Sequence, residues 1–386
     1  MDSCEGKPRV CVIGPGWHFT SGISHYTCRL AGALAEHAQV SAVLLRGLVP
    51  RALYPGRSHI GAGVAAIDYD ERVDVYDGVN WYWGLGMLGA VRHLRAALPH
   101  AVLFQWWTGA AAHSYLLLAS VARSLGASVL IEFHEAQDPG EVSVPLAARY
   151  TRRMLAGLVR RADHFLMHSE YDHELLTQLL GLSGRSVAVV PHGPFDHYAV
   201  ERTPSPDGAF RLLFFGLIRP YKGVEYLISA FNRLRAEEAA GFRLTVVGET
   251  WEGCTAPVRL IEDSPHRDRI TLVNRYVTDE EAKAYFAGAD ALVLPYLRSS
   301  ASGPLHIAMS NGMPVVVSAV GGLVEAVRDY AGALLVEPAD VDALLYALRR
   351  VQGMGGTARF PNPHSWERNV QAVLGTLRPS TERELP

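Results

Sequence analysis

Short, unbroken apolar runs alternate with amphipathic helical stretches along almost the whole chain, and this alternation constrains the fold most. Arg9 to Ile13 is one such run. It ends in Gly14-Pro15-Gly16 and reads as a buried strand and its turn. Helical spacing follows over Gly22 to His37. Val40 to Leu45, Ala101 to Trp106, Ser128 to Phe133, His164 to His168 and Val187 to Val190 are further strand segments. A strand without an alternating polar face must be covered on both sides. Such strands, separated by helices, predict a parallel sheet layered between helices.

The alternation stops at Pro191 to Arg211, a stretch rich in Pro, Gly and polar residues that reads as an interdomain linker. It then restarts. Leu212 to Gly216, Leu244 to Val247, Ile270 to Val273, Ala291 to Pro295, Pro314 to Ser318 and Ala333 to Val336 are expected strands. Val224 to Glu238, Asp279 to Gly288, Leu305 to Asn311 and Val341 to Val351 are expected helices, and the tail around Trp366 to Leu377 is a last one. The fold class is therefore α/β, with two doubly wound, Rossmann-like lobes. A chain of 386 residues has the length for two such domains. Ligands of these sheets bind at the carboxyl ends of the strands, so the expected site is a central cleft between facing lobes.

Composition removes several function classes. A net charge of −3 gives no basic field for nucleic acid. Four cysteines, none in a C-x-x-C pair, build neither a disulfide scaffold nor a cysteine metal site. The polar start MDSCEGKPRV lacks a signal-peptide core, and no apolar run has the ~18 residues of a membrane span, so a cytoplasmic location is expected. The first turn lacks the third glycine of a dinucleotide fingerprint, and no P-loop or nucleophile elbow is present. His164 and His168 share a strand, too far apart to share a metal. Asp68-Tyr69-Asp70 and Asp340-Val341-Asp342 are isolated D-x-D triplets. Asp340 reads as a helix cap, and no metal site is expected.

Chemistry concentrates at strand-to-helix turns. After the strand ending at Gly216 come Arg219 and Lys222, two cations beside a helix start, which suits a diphosphate. Ser302-Gly303-Pro304-Leu305 opens a later helix with small residues and exposed amides. Gly321-Gly322, followed by Glu325, lets backbone approach a ligand closely. In the first lobe, His134 ends the strand at Phe133, and Gly16 with Gly22 forms the first turn.

Together these residues resemble the family 4 glycosyltransferases, which have the two-lobed GT-B fold. The resemblance rests on Arg219…Lys222-Gly223, the segment from Tyr296 to Val327, Ser365-Trp366, and the looser first-lobe features Phe133-His134-Glu135 and Val190-Pro191-His192-Gly193. It implies an acceptor-binding lobe over 1–195, a nucleotide-sugar lobe over 205–360, and a helix over 364–378 that crosses back. It implies a retaining, metal-independent transfer of a sugar from a nucleoside-diphosphate-sugar, UDP- or GDP-linked, to an acceptor hydroxyl. No other cofactor is expected. Arg219 and Lys222 would stabilise the leaving diphosphate. Ser302, Gly303, Pro304 and Leu305, with Gly216, would hold phosphates or ribose. His134 would polarise the acceptor hydroxyl, and Gly16 and Gly22 would admit the donor. One departure is plain. The family's two glutamates, with seven residues between them, align with Ser299 and Ile307, which leaves Glu325 as the candidate ribose partner.

The acceptor is expected to be a sugar, a lipid-linked molecule or a small molecule. Trp81, Tyr82, Trp83, Trp106 and Trp107 cluster in the first lobe. Arg149, Arg152, Arg153 and Arg160 fall on one helical face, a candidate for peripheral contact with an inner membrane surface. Two alternatives stand beside the transferase: a nucleotide-sugar epimerase of similar fold, and a non-catalytic sugar-nucleotide-binding protein, which the absent glutamates favour.

Overall fold

The computed structural model describes residues 6–17, 22–47, 68–135, 145–251, 253–354 and 359–377. The chain divides into two compact units. One takes residues up to Gly193 together with those from Ser365 on; the other is Pro194–His364.

In the first unit, strands β1 (Arg9–Pro15), β2 (Gln39–Gly47), β3 (Val73–Asn80), β4 (Ala101–Trp106), β5 (Ser128–Phe133), β6 (His164–Met167) and β7 (Ser186–Val189) pair in the order β3-β2-β1-β4-β5-β6-β7. All these pairings are parallel. The connections carry α1 (Gly22–Ala35), α2 (Gly84–Ala97), α3 (Ala112–Ser124), α4 (Pro145–Val159) and α5 (Glu170–Leu180). Every residue of β4 is buried, as expected for a central strand covered on both faces.

The second unit repeats the plan. Strands β8 (Phe210–Phe215), β9 (Phe242–Val247), β10 (Ile270–Val273), β11 (Ala291–Leu294), β12 (Val315–Ser318) and β13 (Ala333–Val336) run parallel in the order β10-β9-β8-β11-β12-β13. Its helices are α6 (Val224–Asn232), α7 (Ala236–Ala240), α8 (Ala256–Glu262), α9 (Asp279–Ala287), α10 (Gly303–Ser310), α11 (Gly322–Ala326) and α12 (Val341–Gln352). The last helix, α13 (Trp366–Gly375), packs in the first unit, where Asn369 Nδ2 donates to Tyr26 Oη (2.9 Å) and to the Pro191 carbonyl (3.1 Å). In each sheet the strand order reverses between two neighbours, β1 and β4 or β8 and β11. Their carboxyl ends open the crevice where such folds bind ligands.

Three features depart from the sequence reading. β3 and α2 had no assigned counterpart. β3 is a sheet-edge strand with only Val73 and Val79 fully buried, and Asp74 and Asp77 interrupt its apolar run. The helix expected over Val224 to Glu238 is two helices, because the chain is extended at Arg235 and the Glu238 carboxylate caps the Arg235 amide (2.9 Å). The stretch from Pro194 is part of the second unit's packing. Phe195 and Tyr198 are buried, and Asn311 holds the Tyr198 carbonyl (3.1 Å) and the Val200 amide (2.8 Å).

Candidate functional site

At the end of β8 the chain passes Gly216 (φ 129°) close beneath the end of β9. A Cβ on Gly248 would stand 1.9 Å from the Gly216 carbonyl oxygen. Ile218 is then pinned, its amide donating to Glu249 O (2.9 Å) and its carbonyl accepting from Trp251 (3.0 Å). Arg219 follows, with its guanidinium 4.6 Å from the centre of a Trp251 ring. Pro220 to Lys222 form one tight turn, closed by Gly223 in the left-handed region (φ 61°). A Cβ on Gly223 would lie 2.0 Å from the Pro295 carbonyl oxygen. The turn is thus pressed onto the end of β11, and Leu297 N donates to Tyr221 O across the join (2.8 Å).

That join places the Lys222 ammonium 3.7 Å from the centre of the Tyr296 ring, a cation–π contact with a fully buried aromatic. The Tyr296 hydroxyl is 3.3 Å from Ser302 Oγ. Burial pushes this phenol up to about 12, against the pull of the Ser302 bond. Ser302 stands at the N-cap of α10, but its side chain makes no cap bond and turns to Tyr296 instead. Pro304 sits in the first turn of α10, close to Gly216. A third loop joins through Gly322 N, which donates to Ser299 O (3.2 Å), after Gly321 takes a φ of 49°. Glu325 lies on α11 in this loop.

The structure therefore brings Gly216, Lys222, Ser302, Gly303, Pro304 and Leu305 together at the ends of β8 and β11. A cation and a helix N-terminus, both backed by buried packing, form a positive corner suited to phosphate oxygens. Tyr296 links the two halves, and Trp251 carries Arg219. Neither was singled out from the sequence, since an aromatic just past a strand reads as ordinary core. Ile307 is buried, and the Ser299 hydroxyl is spent on Ala301 O (2.8 Å), so neither supplies a carboxylate. Asp340 caps α12 through the Ala343 amide (2.9 Å), and Asp70 pairs with Arg72.

In the first unit, Gly16 is buried, with its amide on Leu45 O (3.0 Å). A Cβ there would meet that oxygen at 3.1 Å, so the missing side chain already serves the unit's own packing. Gly22 is exposed at the start of α1. His134 follows β5 and turns into the unit. Its ring is buried, with Nε2 2.5 Å from Gln105 Oε1 and Nδ1 3.2 Å from His168 Nε2. Burial, and then His168, hold its pKa well below the usual histidine range, so the ring is neutral. Nε2 is taken by Gln105, and Nδ1 faces the buried His168. The same network holds Glu132, whose carboxylate accepts from Tyr26 Oη (2.5 Å) and Gln105 Nε2 (2.7 Å). The sequence signal that was missed is an acid inside the apolar strand SVLIEF.

Of the aromatic cluster, Trp106 is core, whereas Tyr82 is 68% exposed. Trp83 stacks on His113 and donates to Ser114 Oγ (3.1 Å). Arg149, Arg152 and Arg153 are exposed on α4, and Arg160 is exposed one residue past its end. Among the described residues, no helix is long and apolar enough to cross a membrane.

Residues 21–193 match the glycosyl transferase 4-like domain, and residues 209–352 match the glycosyl transferases group 1 family. Between them the two matches take in most of the chain. Among curated relatives, a D-inositol 3-phosphate glycosyltransferase of Geodermatophilus obscurus is 31% identical over 58% of the chain and 54% of its own length. The chain thus spans about half the length of these relatives. A glycogen synthase of Mycobacterium tuberculosis is 28% identical over 86% of the chain and 82% of its length. Among solved structures, sucrose-phosphate synthase from Thermosynechococcus elongatus superposes with a TM-score of 0.64 at 18% identity, covering 95% of this chain and 94% of that one. Anabaena HepE in complex with UDP and glucose gives 0.60 at 16% identity, over 96% and 95%. These likenesses identify the GT-B fold.

Proposed function

The chain belongs to the family 4 glycosyltransferases, and on that footing we propose that it moves a sugar from a nucleoside-diphosphate-sugar to an acceptor hydroxyl, with retention and without a metal at the diphosphate. The observation that carries this reading is the Lys222–Tyr296–Ser302 contact, which joins a cationic turn to the N-terminus of α10. As the glycosidic bond breaks, the leaving diphosphate gains negative charge. Lys222, Arg219 and the first amides of α10 are fixed before that charge appears, so they lower the barrier with little reorganisation. Gly216 and Gly303 admit the phosphates closely. Glu325 is the ribose partner in this reading. HepE, whose structure is in complex with UDP and glucose, supports a UDP-linked donor.

The test is incubation of the purified protein with UDP-, GDP-, ADP- and TDP-sugars. One donor should release free sugar slowly without acceptor, and Lys222→Ala should cut that rate about 10²–10³-fold. Proton NMR of the first product formed then reports retention, and chelator should leave the rate unchanged. A second reading, a sugar-nucleotide-binding protein without turnover, is favoured by Ser299 and Ile307 at the glutamate positions. A thermal shift with one donor, no release from any, and no effect of Lys222→Ala would select it.

A further inference from the structure

The His134–His168 pair in the first unit poses a proton-count problem. His168 Nδ1 lies 3.1 Å from the Val190 carbonyl oxygen, which can only accept. His134 Nε2 lies 2.5 Å from Gln105 Oε1, and that amide is oriented by its nitrogen donating to Glu132 Oε2 at 2.7 Å. Both outer ring nitrogens therefore carry hydrogens. In neutral rings the two inner nitrogens, His134 Nδ1 and His168 Nε2, then point lone pairs at each other across 3.2 Å. Such an arrangement needs a cation between them. Glu132 Oε1 stands 3.9 Å from His168 Nε2, and the three donor atoms all lie within 4.8 Å of one another.

We propose that His134 Nδ1, His168 Nε2 and Glu132 Oε1 bind a buried divalent transition-metal ion of the zinc class. Two imidazoles on one tetrahedral ion, with Zn–N bonds of about 2.05 Å, hold their nitrogens about 3.3 Å apart and their ring centres about 5 Å apart. The observed separations are 3.2 Å and 4.9 Å. An in-line N–H···N bond of the same length would spread the centres to about 5.5 Å. To complete the set the carboxylate must close about half an ångström toward His168 Nε2 and up to about 1.5 Å toward His134 Nδ1. Each ligand already has the outer partner that a bound metal demands: Val190 O and Gln105 Oε1 fix the tautomers, and Tyr26 with Gln105 fixes the carboxylate. The ion joins the ends of β5 and β6. Through Glu132 and Tyr26 it also reaches Asn369, so it braces α13 against the unit. It lies in the first unit and is not the diphosphate's counter-charge, so it stands or falls separately from the proposed transfer.

The experiment uses the full chain. Zinc content is measured as purified. The protein is then stripped with chelator and titrated with cobalt chloride and, separately, zinc chloride. The expected result is one equivalent of metal, the visible absorption of tetrahedral cobalt, and a melting temperature raised by several degrees with zinc. His168→Gln and Glu132→Gln should each lose the cobalt band. His37→Ala and His173→Ala, exposed histidines beside Glu367 and Glu170, should keep it. The wild-type titration decides the matter even if the buried variants misfold. No saturable cobalt band in the stripped wild type, or a band that persists in His168→Gln, overturns the proposal; the pair would then hold a proton instead.

Discussion

Gly223→Ala is the sharpest perturbation of the donor corner. Gly223 has a φ of 61°, where an alanine costs about 1 kcal/mol. Its Cβ would also stand 2.0 Å from the Pro295 carbonyl oxygen. An ordinary C···O contact is about 3.2 Å, so the turn must retreat by more than an ångström. That retreat breaks the Leu297–Tyr221 bond and pulls Lys222 off the Tyr296 ring. The first is worth about 1 kcal/mol and the second about 1 kcal/mol. Together the variant should lose about 3 kcal/mol, or about 6–12 °C in Tm for a domain of this size. Turnover should suffer independently, because a phosphate-binding cation displaced by an ångström costs about 10²-fold. Urea unfolding and nucleotide release from the active donor measure the two effects. Gly208→Ala is the control. Its φ is 73° but nothing lies within 4 Å of the new Cβ, so it should lose only about 1 kcal/mol and keep full turnover. A Gly223→Ala protein as stable and as active as Gly208→Ala would refute the close approach and the role given to it.

Other outcomes follow from single contacts. Tyr296→Phe keeps the ring under Lys222 but loses the Ser302 bond, so donor KM should rise several-fold while stability falls by about 1 kcal/mol or less. Asp290 is buried and bonded by Arg211 and Arg202. Desolvation raises its pKa, but the Arg211 bonds and the two positive charges outweigh that and hold it below the usual carboxylate value. A carboxyl depressed by folding stabilises above its unfolded pKa and loses that contribution as pH falls through the folded one. Acid unfolding of wild type should therefore steepen below about pH 4, and Asp290→Asn should flatten that limb while costing about 3 kcal/mol at pH 7. Gly193→Ala would bring a Cβ within 2.5 Å of the Trp366 ring, so α13 should loosen and its amides exchange faster in hydrogen-exchange measurements.

Local signals fixed much of this protein before any tertiary contact was known. Unbroken apolar strands such as β11 can only be central strands of a layered parallel sheet, so the α/β class and its two sheets were legible. The turn from Arg219 to Gly223 and the opening of α10 at Ser302 were legible too, because cations, glycines and prolines at strand ends leave a short-range pattern. Edge strand β3 escaped, since one-sided burial tolerates Asp74 and Asp77 and erases that pattern. Tyr296 escaped because its role depends on Lys222, a residue 74 positions earlier that only sheet pairing brings alongside. The sequence places His134 at a strand end, where the family resemblance has it polarise the acceptor hydroxyl. Its environment is set by Gln105, Glu132 and His168, each from a different strand end or interior, and by an α1 tyrosine. Strand order decides which side chains meet there. The chain's own chemistry named Lys222, Ser302 and His134, but not the Tyr296, Glu132 and His168 that surround them. Long-range pairing, which no local pattern encodes, decided that Lys222 rests on Tyr296 and that His134 turns inward to His168.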